Sequence, residues 1–164
     1  MEDVKLVIFD LDGTLIDAYP AITASFNYTM RKLGLPNQKA LTIRRAVGWG
    51  DENLLKPFVP VKGLKKAVLI YRRHHKKALI QGSRLLPGVA GVLAYLKKSG
   101  YRLAVASNRP TKFSGILIRH LKLRKYFAYV LCADKLRHGK PYPEILYKII
   151  KKFSFSAKEA LYVY

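Results

Sequence analysis

Two aspartates, Asp10 and Asp12, stand two residues apart directly after the apolar run Lys5–Phe9. Paired carboxylates next to a buried segment are unfavourable unless a positive charge compensates them. A hard divalent cation such as Mg²⁺ would do so, because it prefers oxygen ligands and commonly uses one or two carboxylates with a substrate phosphate. With that ion present, Asp10 could attack a phosphorus atom as a nucleophile. Asp12 could protonate the leaving oxygen and later deprotonate the attacking water.

Other polar groups in the sequence could stabilise the charge that develops during phosphoryl transfer. The candidates are the Ser107 hydroxyl, the Asn108 amide, the Lys140 ammonium and the backbone amides of Leu11, Gly13 and Thr14. A lysine suits this task because its compact charge can contact both a phosphate and a carboxylate. These residues therefore form a candidate phosphate-binding set around the aspartate pair.

The elements that must position these residues alternate between strands and helices. Short β-rich runs predict strands at Lys5–Phe9, Arg102–Ser107, Tyr129–Cys132 and Leu161–Tyr164. Helical patterns at 89–98, 111–121 and 143–153 separate or flank the later strands, and this alternation predicts a parallel, doubly wound α/β sheet. Ligands of such sheets bind beyond the carboxyl ends of the strands, so the candidate residues are expected to gather at one edge.

Apolar residues of the predicted strands should form the centre of the core. Those expected to be buried are Leu6, Val7, Ile8, Leu103, Val105, Val130 and Leu131. Between the first strand and the rest, residues from about Ile16 to Gly82 show only helical patterns. We therefore predict a sheet domain from residues 1–16 and 83–164, and a separate helical insert from residues 17–82.

The charge balance is strongly positive, with 31 Lys and Arg against 10 Asp and Glu and a net charge of +21. Such an excess attracts anions, and nucleic acid, an anionic membrane surface and phosphorylated metabolites all remain candidates on composition alone. The single cysteine, Cys132, excludes an internal disulfide and favours a reducing, cytoplasmic location. No apolar run approaches the length of a membrane span, so no membrane partner is expected.

Three segments resemble the motifs of the haloacid dehalogenase (HAD) superfamily phosphatases. Asp10–Asp17 matches the first motif, Ala106–Asn108 is similar to the second, and Gly139–Glu144 is similar to the third. The resemblance runs through essentially the whole chain. It implies a HAD-like Rossmannoid parallel sheet, with an inserted helical cap over residues 17–82 that selects the substrate. The stretch Arg45–Leu55 resembles the cap signature of phosphoglycolate-phosphatase-like members.

The resemblance also implies a mechanism and a set of roles. Mg²⁺ would be held by the Asp10 side chain and the Asp12 backbone carbonyl, and Lys140 would steady the nucleophile and the phosphate. The implied activity is Mg²⁺-dependent hydrolysis of small phosphate monoesters, of the phosphoglycolate type, through an aspartyl-phosphate intermediate. The implied partner is a small phosphorylated metabolite. Sugar-phosphate mutases of the same branch share much of this pattern and stay an alternative.

The fourth motif of the family, one or two aspartates after the fourth strand, would begin where this chain stops at Tyr164. The resemblance therefore leads us to expect a truncated member with weak magnesium affinity, low stability and little or no turnover. A second function hypothesis follows from the charge and the missing motif. It is a non-catalytic module that binds anions or nucleic acid on the same scaffold, and the intact Asp10, Asp12 and Lys140 oppose it.

Several residues allow two interpretations. The basic run Arg72–Lys77 surrounds a helix, so a solvated run is favoured over a nucleic-acid contact. His74 and His75 inside it lack the i, i+4 spacing of a helical metal site. Trp49 could line the substrate face of the cap or pack within it, and Asp134 could assist the site or cap a loop.

Overall fold

A four-stranded parallel sheet forms the core of one part of the chain in the structure, a computed structural model that describes residues 3–164. The strands, in chain order, are β1 (Leu6–Phe9), β2 (Ile16–Asp17), β3 (Arg84–Leu85), β4 (Arg102–Ser107), β5 (Tyr129–Cys132) and β6 (Ala160–Val163). The α-helices are α1 (Tyr19–Lys32), α2 (Ala40–Ala46), α3 (Asp51–Leu55), α4 (Leu64–Gly82), α5 (Val89–Lys98), α6 (Thr111–His120) and α7 (Glu144–Lys152). The sheet order β5-β4-β1-β6, with all pairs parallel, confirms the predicted α/β fold.

Strand register brings the carboxyl ends of the sheet strands side by side. Phe9, the last residue of β1, lies opposite Val105 of β4 and Val163 of β6. On the other side of β4, Ser107 lies opposite Cys132 of β5. Polar residues that follow these strands therefore meet at one edge, as the strand pattern predicts.

The central strands are buried because helices cover the sheet. Leu6, Val7, Ile8, Leu103, Val105 and Leu131 are at most 6% exposed, as expected. Val130 is the exception and is only half-buried. It lies on β5, an edge strand of the sheet, where neighbouring atoms are fewer than around β1 and β4.

Helix α7 covers one face of the sheet through a single apolar stripe. Ile145 and Ile149 are fully buried, four residues apart on the same side of the helix. They pack in one cluster with Leu6 and Ile8 of β1 and Leu131 of β5. Full burial of each such side chain contributes about 1.5–3 kcal/mol to the free energy of unfolding. This packing fixes the segment that leads from β5 into α7, which carries Lys140.

The chain divides into two compact units. One comprises the residues up to Asp17 together with Arg84–Tyr164, and the other is Ala18–Ser83. The expectation of helix alone from Ile16 onward is wrong at its start, because Ile16–Asp17 forms β2. This strand pairs antiparallel with β3, and a two-residue strand carries too little periodicity to be read from sequence.

The helical unit is built around the packing of α1 against α4. Gly82 lies so close to α1 that an added Cβ would be 3.1 Å from the backbone nitrogen of Ala21. Phe26 of α1 is fully buried and meets Phe58 edge-on, with ring centroids 5.1 Å apart. Trp49, by contrast, is 59% exposed, which disfavours the interpretation that it simply packs inside this unit.

The basic run Arg72–Lys77 divides into two sets of side chains. Nδ1 of His74 lies 3.1 Å from Oγ of Ser25, and Nδ1 of His75 lies 2.9 Å from the same hydroxyl. His75 is fully buried, and burial together with nearby cations lowers the pKa of His74. The other four side chains of the run are exposed. Two neighbouring positions of the run thus face α1, and the remainder form a basic surface.

An ion pair joins the beginning of β1 to the turn before β6. Lys5 Nζ lies 2.7 Å from Glu159, which also accepts hydrogen bonds from the backbone nitrogen and hydroxyl of Ser156. The hydrogen bond from Lys5 is the main reason that the pKa of Glu159 falls to about 2. A carboxyl whose pKa is lower in the folded state stabilises the fold above its unfolded pKa, and this contribution is lost as the pH falls through the folded pKa.

We expect Glu159→Gln to lower the thermal unfolding midpoint at pH 7, because the amide cannot form the ion pair with Lys5. The difference in unfolding midpoint between Glu159→Gln and the unsubstituted chain should shrink as the pH falls from 4.5 to 2. This window is set by the ordinary and the shifted pKa of Glu159. Thermal unfolding followed by circular dichroism at pH 7 and pH 3 measures both values. Glu52→Gln, at an exposed position on α3, is the control. An equal difference at both pH values would contradict the assignment.

Candidate active site

The loop after β1 places Asp10 and Asp12 at the carboxyl edge of the sheet. The Asp10 backbone nitrogen donates to the Val163 carbonyl at 2.9 Å, which extends the pairing of β1 with β6 by one residue. Gly13 then adopts φ +83°, a conformation that side-chain-bearing residues rarely accept, and its nitrogen donates to the Ile16 carbonyl at 2.9 Å. The turn therefore depends on glycine at position 13.

Lys140 forms an ion pair with Asp10. The Nζ–Oδ1 distance is 2.6 Å, and the backbone nitrogen of Leu11 donates to the same oxygen at 2.6 Å. Lys140 Nζ also donates to the hydroxyl of Tyr162 on β6 at 3.0 Å. Burial raises the pKa of the Tyr162 hydroxyl, so this hydroxyl is neutral and accepts the bond. Both contacts of the Asp10 carboxylate fall on Oδ1, which orients the carboxylate.

Arg109 is a site residue that sequence reasoning missed. Its Nε donates to Asp12 Oδ2 at 2.9 Å and its Nη2 donates to Asp12 Oδ1 at 2.7 Å. The Arg109 side chain is 6% exposed and the Asp12 side chain is 18% exposed. This bidentate arrangement is among the stronger hydrogen-bonded ion pairs in proteins. The available signal was the position of the arginine, directly after the Ser107–Asn108 segment.

Each carboxylate of the aspartate pair therefore has its own cation within the chain. Lys140 compensates Asp10 and Arg109 compensates Asp12, so the pair does not require a metal ion for charge balance. The donor chemistry nevertheless fits Mg²⁺, since a carboxylate and a backbone carbonyl are hard oxygen ligands. Within residues 3–164 no group of three or more His, Cys, Asp or Glu side chains could hold a metal.

Asn108 contacts the backbone of Lys140 through both ends of its side-chain amide. Oδ1 accepts from the Lys140 nitrogen at 2.7 Å, and Nδ2 donates to the Lys140 carbonyl at 2.9 Å. The Lys140–Pro141 peptide bond is cis. A Cβ added to Gly139 would lie 2.7 Å from Asn108 Oδ1 and 3.1 Å from the Ala133 side chain. Asn108 thus positions Lys140 in this structure, and the direct phosphate contact predicted for it stays a prediction.

We expect Gly139→Ala and Asn108→Ala to weaken inorganic phosphate binding by a similar factor, because either change breaks the two hydrogen bonds to Lys140. Two such bonds contribute about 1–3 kcal/mol together, which corresponds to a loss of roughly five- to hundredfold in affinity if the lysine is displaced. Isothermal titration calorimetry measures the dissociation constants. Gly115→Ala is the matched control, since an added Cβ there has no neighbour within 4 Å. Additive effects in the double variant would contradict a shared mechanism.

The remaining predicted phosphate-binding groups lie at the same edge. The Ser107 side chain is buried, and its Oγ accepts from the Arg109 nitrogen at 3.1 Å. The Leu11 and Gly13 amides already donate within the loop, to Asp10 Oδ1 and to the Ile16 carbonyl. Contacts of these groups and of the Thr14 amide with phosphate stay predictions.

Two further acidic residues near the site have structural partners. Asp134 Oδ1 accepts from both the nitrogen and the hydroxyl of Thr111, at 3.1 and 2.7 Å, and so caps the beginning of α6. Glu144 of the third motif pairs with Lys148 one turn later, and this hydrogen bond lowers the pKa of Glu144. Asp134 therefore follows the capping interpretation. Cys132 beside it is buried, which raises the pKa of its thiol.

Comparison with known proteins gives consistent matches across the chain. A family model of haloacid dehalogenase-like hydrolases matches residues 7–163. Phosphoglycolate phosphatase of Nitrosococcus oceani is 31% identical, over 99% of this chain and 76% of the relative. The corresponding protein of Nitrosospira multiformis is 32% identical, over 98% of this chain and 74% of the relative.

Solved structures agree with these matches. A predicted phosphoglycolate phosphatase from Haemophilus somnus superposes with a TM-score of 0.93 at 28% identity, over 99% of this chain and 77% of that one. A Thermotoga maritima protein proposed to be a β-phosphoglucomutase gives a TM-score of 0.77 at 25% identity, over 97% of this chain and 75% of that one.

The fold and the cluster at its edge define an α/β protein whose candidate site is built on an aspartate pair. The chain belongs to the haloacid dehalogenase-like hydrolases. These matches also confirm the predicted enzyme class, a phosphatase of that family. No helix in residues 3–164 is long and apolar enough to span a membrane.

Proposed function

We propose that this chain hydrolyses small phosphate monoesters of the phosphoglycolate type, with Mg²⁺ as cofactor and Asp10 as nucleophile. The observation that carries the proposal is the 2.6 Å pair between Lys140 and Asp10, two residues before Asp12 at the carboxyl edge of a parallel sheet. The pair orients the Asp10 carboxylate. An oriented carboxylate is what nucleophilic attack on phosphorus requires.

In the first half of the reaction, Asp10 Oδ2 forms a bond to phosphorus while the ester bond to the leaving oxygen breaks. Lys140 and the Leu11 amide hold Oδ1, so Oδ2 is the oxygen we assign to the attack. Asp12 donates a proton to the leaving oxygen, which departs as an alcohol. The product on the protein is an aspartyl-phosphate at Asp10.

In the second half, a water molecule attacks the phosphorus atom of the aspartyl-phosphate. Asp12, now ionised, takes a proton from that water. The bond between Asp10 and phosphorus breaks, inorganic phosphate leaves, and both aspartates return to their starting states. Acid and base catalysis are thus assigned to the same carboxyl in turn.

The charge of the phosphoryl group is stabilised by residues that the structure brings to the edge. Lys140 supplies a positive charge, and Ser107 supplies a hydroxyl from the end of β4. Mg²⁺, held by the Asp10 carboxylate and the Asp12 carbonyl, would neutralise further negative charge on the phosphate. The helical unit Ala18–Ser83 is assigned the role of the cap that selects the substrate.

The names of the relatives support phosphoglycolate as the substrate type. The mutase alternative is supported by the match to the Thermotoga maritima protein. A mutase returns the phosphoryl group to a sugar phosphate, so the interconversion of sugar phosphates without phosphate release distinguishes it. A cytoplasmic location, which the single Cys132 favours, stays a prediction.

The test is phosphate release from phosphoglycolate and from an aryl phosphate, with Mg²⁺ and with EDTA. A high protein concentration makes slow turnover measurable, and the Nitrosococcus oceani relative serves as the positive control. We expect release that depends on Mg²⁺ and is faster for phosphoglycolate. Full activity in EDTA would remove the metal from the proposal, and release that is no faster for phosphoglycolate than for the aryl phosphate would contradict the substrate type.

A further inference from the structure

The contact between Arg109 and Asp12 conflicts with the chemistry assigned to Asp12. Both carboxylate oxygens accept hydrogen bonds from the guanidinium, at 2.9 and 2.7 Å. The guanidinium thus occupies both oxygens of the Asp12 carboxyl. A general acid must reach the leaving oxygen with one of its own oxygens. The structure therefore shows Asp12 in a state from which it cannot begin the reaction.

Arg109 cannot simply be released into the protein. Its side chain is 6% exposed, and a buried cation without a partner is strongly unfavourable. Another anion must take the place of Asp12 when the two separate. The backbone of Arg109 already contacts Ser107 Oγ, the hydroxyl assigned to the phosphate, at 3.1 Å. The incoming phosphoryl group is thus the anion that arrives next to this arginine.

We propose that Arg109 is exchanged between two anions, binding Asp12 in the free protein and the phosphoryl group in the complex. This proposal rests on the proposed function. The planar guanidinium fits a carboxylate and a phosphate equally well, because both present two oxygens at matching spacing. Binding of the phosphoryl group then frees Asp12 at the moment when a proton donor is required. Arg109 couples substrate binding to the availability of the acid.

The exchange has a consequence for binding alone. Asp12 and phosphate compete for Arg109, so removal of the Asp12 carboxylate should tighten phosphate binding. Hydrogen bonds to charged groups contribute about 1.5–3 kcal/mol, so the expected gain is about tenfold or more in affinity. This gain in affinity should disappear when Arg109 is absent. A gain that came only from the loss of negative charge at position 12 would remain without the arginine.

The experiment is a double-substitution cycle on the dissociation constant of inorganic phosphate. It is measured by isothermal titration calorimetry in EDTA for the unsubstituted chain, Asp12→Asn, Arg109→Met and the double variant. We expect Asp12→Asn to tighten binding, Arg109→Met to weaken it, and Asp12→Asn to have an effect under about twofold when Arg109 is absent. Asp17→Asn removes the same charge from the same segment, at an ion pair with Arg84, and should leave the affinity unchanged.

Every result decides the proposal. Equal tightening by Asp12→Asn in both backgrounds, no tightening, or no phosphate binding in any variant would overturn it. Circular dichroism reports folding. If Arg109→Met does not fold, Arg109→Lys replaces it in the cycle. The double variant leaves no unpaired buried charge and completes the comparison of phosphate dissociation constants. Turnover is not part of this measurement, so the two proposals can fail separately. If the chain releases phosphate but Asp12→Asn does not tighten binding through Arg109, the proposed function stands and this inference fails. If Asp12→Asn tightens binding through Arg109 but there is no Mg²⁺-dependent turnover, this inference stands and the proposed function fails.

Discussion

Replacement of Asp10 by asparagine is expected to abolish phosphate release. The amide is a poor nucleophile and a weak ligand for a divalent cation, and it cannot form the ion pair that Lys140 makes with Oδ1 at 2.6 Å. Colorimetric phosphate detection with an aryl phosphate and Mg²⁺ measures the effect. Release should fall to the rate seen without protein.

Asp17→Asn is the matched control for this substitution. Asp17 belongs to the same motif, and its carboxylate pairs with the exposed Arg84 at 2.9 Å. Exposed ion pairs of this kind contribute about 0–1 kcal/mol to stability. Phosphate release by Asp17→Asn should therefore be close to that of the unsubstituted chain. Activity of Asp10→Asn at the level of this control would exclude Asp10 as the nucleophile.

Asp12→Asn is expected to reduce kcat by roughly 10²–10⁴, the usual contribution of general acid–base catalysis. The asparagine can still accept one hydrogen bond from Arg109, but the buried guanidinium loses its anionic partner, so the thermal unfolding midpoint should fall and kcat is compared below that midpoint. An aryl phosphate with a good leaving group should lose less activity than an alkyl phosphate, because its departing oxygen needs a proton less.

The same variant should be inhibited by inorganic phosphate at lower concentrations than the unsubstituted chain, if Arg109 is released from its competitor. A slower catalyst that binds its product more tightly is not expected from a simple structural defect. Equal losses with aryl and alkyl phosphates would argue against proton donation by Asp12. An unchanged inhibition constant would separate the catalytic role of Asp12 from the exchange at Arg109.

The sheet could be predicted because its strands are short apolar runs with clear ends. The bounds Arg102–Ser107 and Tyr129–Cys132 and the helix Val89–Lys98 agree with the sequence prediction. Because ligands of parallel sheets bind beyond the carboxyl ends of the strands, Asp10 and Lys140 could be predicted to lie close together. The two-residue strands β2 and β3 were missed, because pairing between residues 67 and more positions apart leaves no local pattern.

The roles of individual polar residues were harder to predict, since residue type does not identify a partner. Asn108 suits a phosphate contact and a backbone contact equally, and its contact with the Lys140 backbone depends on the close approach of Gly139, which no sequence pattern predicts. Sequence alone assigned no role to Arg109, because no local pattern identifies its contact with Asp12. His74 and His75 fell in a charged run, yet both contact Ser25 because α4 packs along α1.

The short antiparallel ribbon of β2 and β3 has a consequence for modular engineering. Asp17 and Arg84 are cross-strand partners, so the two points at which the helical unit Ala18–Ser83 is inserted are adjacent. Cross-strand Cα atoms are about 5 Å apart, a gap that a turn of two to five residues closes at little entropic cost. Deletion of the insert therefore leaves a continuous sheet unit, and a different insert can be grafted at the same ribbon without a change in the aspartate loop or in the strand order.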